Sequence, residues 1–242
     1  MIRMLVSVRD VAEALTVAVA GADFIDLKEP RAGALGGLPV ATIVEIMAAL
    51  RAHGHTLPVS ATIGDLPMDD LPAIVRQVHA VGACGVDYVK VGIERHPGSA
   101  AVLQALAALP WPLVPVFIAD HGLDPDLIAQ ARHFPAVMVD TADKRSGSLF
   151  DVASTAELRR FVATVRGFGA LAGVAGALRP QHLPALAALA PDFAGFRSAV
   201  CVGDRGSALD GALLRQLAGQ LRALPAPGVS SGTTCAGVTA AS

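Results

Sequence analysis

Short apolar runs recur near residues 4–8, 24–28, 58–63, 88–92, 113–119, 136–140, 170–174 and 193–197, separated by spacers of helical length. The spacers carry helical periodicity; in the first, Val11, Ala14, Leu15, Ala18 and Val19 are expected to form the inner stripe. Strand-like runs alternating with helix-like spacers are the pattern of repeated βα units and a parallel sheet. Eight such units predict a closed (β/α)8 TIM barrel, for which 242 residues is an ordinary length. An open doubly wound sheet is the structural alternative. The barrel is expected to form a single domain over 1–224. From Pro225 the composition turns to Pro, Gly, Ser, Thr and Ala, so 225–242 is expected to be a flexible, disordered tail.

Strand parity then sorts side chains between the two faces of each strand. In Phe24-Ile25-Asp26-Leu27-Lys28, Ile25 and Leu27 face the helices, which turns Asp26 and Lys28 into the barrel at its C-terminal mouth. The fourth run sends Lys90 inward between Val89 and Val91, and the sixth sends Asp140 inward at its end, with Lys144 just beyond it. The third adds Ser60 and Thr62 on its inner face. Alternate strands share interior layers in this fold, so Lys28, Lys90 and Asp140 are expected at one level.

Composition sharpens this picture. Lys28, Lys90 and Lys144 are the only lysines, arginine supplying every other basic side chain, so lysine is not a general solubilising residue here. An amine that loses its proton is a nucleophile, whereas a guanidinium stays protonated. A free lysine titrates near 10.4, and neighbouring cations or burial lower that value enough to free one amine for attack on a carbonyl. The cluster therefore predicts iminium and enamine chemistry with no metal and no cofactor. Catalysis is assigned to Lys28, Lys90, Asp26, Asp140 and Lys144. The plain alternative is that the lysines form buried ion pairs with Asp26 and Asp140 and do no chemistry.

Phosphate binding is expected at Gly173 and Gly176 after the seventh run and at Arg197 and Ser198 after the eighth, the two loops that commonly hold phosphate in barrels. The Arg31 to Gly37 loop, with its three glycines, is a second candidate. Asp120 and His121 end the fifth run at the same mouth, where a proton relay is one reading and a loop salt bridge or cap the more ordinary one. The Asp204-Arg205 pair reads as shaping its loop. His53 and His55 lie on a turn without a third ligand at metal spacing.

A net charge of −2 and 4 % aromatics argue against nucleic acid as a partner. Three scattered cysteines fit a reducing compartment, and charges at Arg3, Arg9, Asp10 and Glu13 interrupt any signal-peptide pattern, so the protein is expected to be cytoplasmic. The longest uncharged run, Pro97 to Ala119, is divided by prolines into a helix-like and a strand-like half, which argues against a membrane span. The expected partner is a small phosphorylated sugar; a homo-oligomer stays open.

The segments Ile25-Asp26-Leu27-Lys28-Glu29-Pro30 with Gly33, Ser60-Ala61-Thr62-Ile63-Gly64-Asp65, Asp87-Tyr88-Val89-Lys90-Val91-Gly92, and Val139-Asp140-Thr141-Ala142 with Lys144 together resemble the (5-formylfuran-3-yl)methyl phosphate synthases. The resemblance runs from about Leu5 to about Leu224. It implies a (β/α)8 lyase that condenses two molecules of glyceraldehyde 3-phosphate, losing one phosphate and water, at the start of furan synthesis for methanofuran-type cofactors of one-carbon metabolism. It further implies Lys28 as the Schiff-base lysine, Lys90 as proton acceptor, and Asp26, Asp140 and Lys144 as supporting charges. Another class I sugar-phosphate aldolase and a non-catalytic phosphosugar-binding barrel are the rival readings.

Overall fold

The structure is a computed structural model and describes residues 1–33, 35–142 and 147–225. Eight parallel strands, β1 (Arg3–Val8), β2 (Phe24–Leu27), β3 (Val59–Thr62), β4 (Tyr88–Ile93), β5 (Leu113–Ile118), β6 (Ala136–Asp140), β7 (Leu171–Val174) and β8 (Phe193–Phe196), follow one another round a closed barrel. Closure is made by β1 against β8, with Arg3 opposite Phe193 and Val6 opposite Phe196, which excludes the open sheet. Around it lie α1 (Val11–Val19), α2 (Val40–Ala52), α3 (Leu71–Gly82), α4 (Ser99–Ala107), α5 (Pro125–Ala129), α6 (Leu149–Val152), α7 (Thr155–Gly167), α8 (Leu183–Leu189) and α9 (Gly211–Arg222). The uncharged run from Pro97 becomes α4 and β5, and no helix among the described residues is long and apolar enough to cross a membrane. The expected tail from residue 226 onward lies outside the described residues.

Local chemistry starts the helices where the sequence places acids and hydroxyls. Asp10, Asp70 and Asp210 each accept a backbone N–H in the first turn of α1, α3 and α9, and Ser154 with Glu157 forms a capping box at α7. The apolar core has two parts. A large one joins the outward strand faces, such as Ile25, Leu27, Val89 and Val91, to the helices. A smaller one fills the barrel itself with Leu5, Val114, Val116, Met138 and Phe193. The polar mouth stands on this second plug.

The inner stripe of α1 differs from expectation. Val19 is 71 % exposed, and the buried positions are Glu13, Ala14 and Val17. Val19 lies five residues past Ala14, which turns it about 140° away from the core face of a helix with 3.6 residues per turn. Glu13 takes an inward position that a hydrophobic pattern would not assign to a carboxylate.

Candidate active site

The inward faces of the even strands meet as strand parity requires. Lys28 directly follows β2, its N–H still donating to Val8 O, and its Nζ lies 3.5 Å from Asp140 Oδ2 at the end of β6. Lys90, in the middle of β4, donates to Asp26 Oδ1 at 3.0 Å. Asp26 is further held by Ser60 Oγ at 2.7 Å on Oδ1 and by Ser7 Oγ at 3.2 Å on Oδ2. Asp140 Oδ1 accepts the Thr141 N–H at 2.7 Å. All four charged side chains are buried, the most exposed being Lys28 at 6 %. Thr62 serves a neighbouring task, donating to Gly36 O and so tying down the loop after β2. Lys144 lies outside the described residues.

Ser7, Asp26, Lys28, Lys90 and Asp140 line one cavity that opens at the C-terminal mouth, with Leu5 and Met138 among its apolar walls. It can hold a small, highly oxygenated molecule and present it with two ammonium–carboxylate pairs. Such a setting allows a proton to pass from lysine to carboxylate without reaching bulk water.

The expected phosphate ligands divide. Gly176 and Ser198 line the cavity. Gly173 does not: it sits within β7, where a β-carbon would run into the Phe193 ring, so its role is packing inside the barrel. Arg197 lines the cavity, but its donors are turned to protein partners. Its guanidinium is clamped on Glu13, with Nη1 to Oε2 at 2.6 Å and Nη2 to Oε1 at 3.0 Å, and donates to the carbonyls of Ser7, Arg205 and Ser207. These bonds use all five of its N–H donors and leave none for a phosphate. Burial works against its charge, but the Glu13 hydrogen bonds and charge outweigh this and raise its pKa. In the Arg31 to Gly37 loop, Leu35 N donates to the Asp65 carboxylate, which also crowds Gly33.

Sequence reasoning missed Arg205 as a cavity residue. Its loop follows β8, and no periodicity fixes where a loop side chain points. Burial depresses its pKa; the Asp140 charge opposes the shift and Arg197 adds to it. Asp204 does shape the same loop, accepting from Gly206 N and Ser207 Oγ. Asp120 caps a neighbouring loop by accepting Ala142 N at 2.6 Å, and His121 offers its carbonyl to Arg95. His53 is exposed and stacked on His55, and among the described residues no group of three His, Cys, Asp or Glu side chains is arranged to hold a metal ion.

A profile of the 4-HFC-P synthases matches residues 4–218, nearly the whole barrel. The chain belongs to this family. The (5-formylfuran-3-yl)methyl phosphate synthase of Archaeoglobus fulgidus is 34 % identical over 233 residues, covering 89 % of this chain and 97 % of that protein. A Methylorubrum extorquens relative that carries the same name provisionally is 38 % identical over 226 residues, 92 % of this chain and 93 % of its own. The Methanocaldococcus jannaschii synthase is 32 % identical over 252 residues, covering 91 % of this chain and 98 % of that protein. Among solved structures, the phosphoribosyl anthranilate isomerase of Thermus thermophilus superposes with a TM-score of 0.66 at 18 % identity, over 93 % of this chain and 100 % of that one. The 3-hexulose-6-phosphate synthase of Salmonella typhimurium gives 0.61 at 17 %, over 91 % and 99 %. These two are likenesses of fold. Membership in the 4-HFC-P synthases makes the chain an enzyme of the synthase type, and the paired lysines and carboxylates of the mouth are its candidate machinery.

Proposed function

We propose that this enzyme is a lyase that condenses two molecules of glyceraldehyde 3-phosphate into (5-formylfuran-3-yl)methyl phosphate through a lysine Schiff base, as the first step towards the furan of methanofuran-type cofactors in the cytoplasm. The reading rests on one observation above the family match: two buried lysines, each facing its own carboxylate, open into a single cavity at the mouth. Burying such pairs seldom stabilises a protein, so their presence asks for a chemical reason.

The two pairs suit different tasks. Lys28 has the looser partner, 3.5 Å from Asp140 against 3.0 Å for Lys90 and Asp26, so its amine is the freer to give up a proton and attack a carbonyl. Asp140 takes that proton, and Lys28 forms a carbinolamine and then, with loss of water, an iminium. The iminium acidifies the adjacent carbon. Lys90, fixed by Asp26 and through it by Ser7 and Ser60, first passes its own proton to Asp26 and then removes the carbon-bound proton to give an enamine, which attacks the aldehyde of the second triose. Cyclisation and eliminations assisted by Asp26, Asp140 and Lys144 expel phosphate and water, and hydrolysis of the iminium frees the formyl group and restores the Lys28 amine. Aromatic stabilisation of the furan draws these last steps forward.

Borohydride reduction in the presence of glyceraldehyde 3-phosphate, followed by peptide mass mapping, tests the assignment. A reduced adduct is expected on Lys28, and Lys28→Arg is expected to abolish turnover while the protein stays folded, because a guanidinium keeps the charge without the nucleophile. An adduct on Lys90 or Lys144 would overturn the division of roles. Glyceraldehyde 3-phosphate alone should yield an aldehyde product absorbing in the ultraviolet; a non-aromatic product instead would make the chain another class I aldolase.

A further inference from the structure

Among the described residues, the charges around the cavity fall in pairs until Arg205. Lys28 faces Asp140, Lys90 faces Asp26, and Arg197 is clamped on Glu13. Arg205 makes no ion pair among the described residues, and its one side-chain hydrogen bond there is a long one, from Nη2 to Gly33 O at 3.3 Å. A half-buried guanidinium thus lines the cavity with most of its donors unspent.

The same cavity wall carries unspent backbone donors. Gly176 and Ala177 take positive φ values of 118° and 46°, and their N–H groups, with that of Ser198, donate no hydrogen bond among the described residues. Successive exposed amides form an anion-binding concavity, and a planar fork of N–H donors matches the oxygens of a phosphate two at a time. Arg205 is also held in place: Arg197 Nε donates to its carbonyl at 2.9 Å, and Arg9 and Arg31 both donate to the next carbonyl, Gly206 O, at 2.6 and 3.2 Å. Three arginines fix the backbone of this loop while a fourth presents its side chain to the cavity.

We propose that Arg205 is a specificity-determining residue, its guanidinium receiving the substrate's phosphate against the Gly176 and Ala177 amides and so selecting a phosphorylated triose over the free sugar. The identity of that triose rests on the function proposed above; the affinity for a phosphate group does not.

Two measurements on the wild type, Arg205→Ala and Arg205→Lys separate the possibilities. Binding of inorganic phosphate is read by calorimetry, and the rate of borohydride trapping is compared between glyceraldehyde 3-phosphate and glyceraldehyde. Loss of a charge-assisted contact predicts that Arg205→Ala weakens phosphate binding by about 10- to 100-fold and removes the preference for the phosphorylated aldehyde by a similar factor. Trapping of glyceraldehyde should fall by a far smaller factor than trapping of the phosphorylated aldehyde. Arg205→Lys should recover part of the affinity, as a point charge without the fork. Unchanged phosphate affinity in both variants, or an equal loss of trapping with both aldehydes, would overturn the proposal. Should the wild type trap neither aldehyde, the Schiff-base reading fails, and the calorimetry still decides on Arg205.

Discussion

Glu13 shows how much one residue can decide when it is buried. On α1 it occupies an inward helical position at 6 % exposure and takes both forks of Arg197, which in turn holds the carbonyls of Ser7, Arg205 and Ser207. Removing its charge leaves a buried guanidinium uncompensated, which costs about 3–5 kcal/mol. Glu13→Gln is therefore expected to lower unfolding free energy by roughly that amount in a denaturant titration. It should also weaken phosphate binding, because the loop bearing Arg205 loses its strut. Neither Glu13 nor Arg205 was legible in the sequence, where one figured only as a charge near the start of the chain and the other as half of a loop pair. Lys28 and Lys90 were legible because lysine is so scarce in this chain that its positions stand out.

At the scale of elements, strand positions and parity followed directly from the alternation of apolar runs, whereas helix starts are set by the caps Asp10, Asp70, Ser154 and Asp210, which that alternation does not mark. Element ends were less visible. The C-terminal end of α8 closes on Ala190, which adopts the left-handed conformation at φ 51° and donates its N–H to Leu186 O at 2.7 Å. A β-carbon in that conformation costs roughly 1–2 kcal/mol, and glycine is free of it. Ala190→Gly should therefore raise the unfolding free energy by about 1 kcal/mol, since the helix-ending bond is kept and the site lies outside the helix interior. A fall in melting temperature for this variant would show that the alanine methyl contributes packing that outweighs its strain. Gly173 teaches the complementary lesson: glycine in a barrel strand made room for the Phe193 ring, a contact between β7 and β8 that no local pattern announces.

For the whole molecule, function and stability sit at opposite ends of the barrel. The mouth gathers the lysines and carboxylates, while the far end is tied by Asp192, just before β8. Its carboxylate accepts Ala172 N at 2.8 Å and pairs with Arg166 of α7 at 3.0 Å, and its carbonyl accepts Arg3 N of β1 at 3.1 Å, so one residue links the strands on either side of the closure. Burial pushes this carboxyl up, but the Arg166 and Ala172 hydrogen bonds more than offset it and hold its pKa below the usual carboxylate range. A group depressed in the folded state stabilises above its unfolded pKa of about 3.9, and that contribution is lost as pH falls towards the folded value. Melting temperature should accordingly drop below about pH 4, and Asp192→Asn should be less stable at neutral pH and show a smaller further loss on acidification. Equal acid slopes for the two proteins would remove Asp192 from the account.

By itself the sequence determined eight βα units and the face each strand turns to the helices, because periodic repeats and strict side-chain alternation leave few ways to bury both faces, whereas closure into a barrel was decided where β1 meets β8. The same parity settled that Asp26, Lys28, Lys90 and Asp140 point inward, since a strand offers a side chain only two directions. Tertiary structure alone decided who pairs with whom: Lys28 with Asp140 across 112 residues, Lys90 with Asp26 across 64, Arg197 with Glu13 across 184. Such partners are fixed by the shear and closure of the whole barrel and by loop paths that carry no repeat, and these quantities exist only once all eight strands have met.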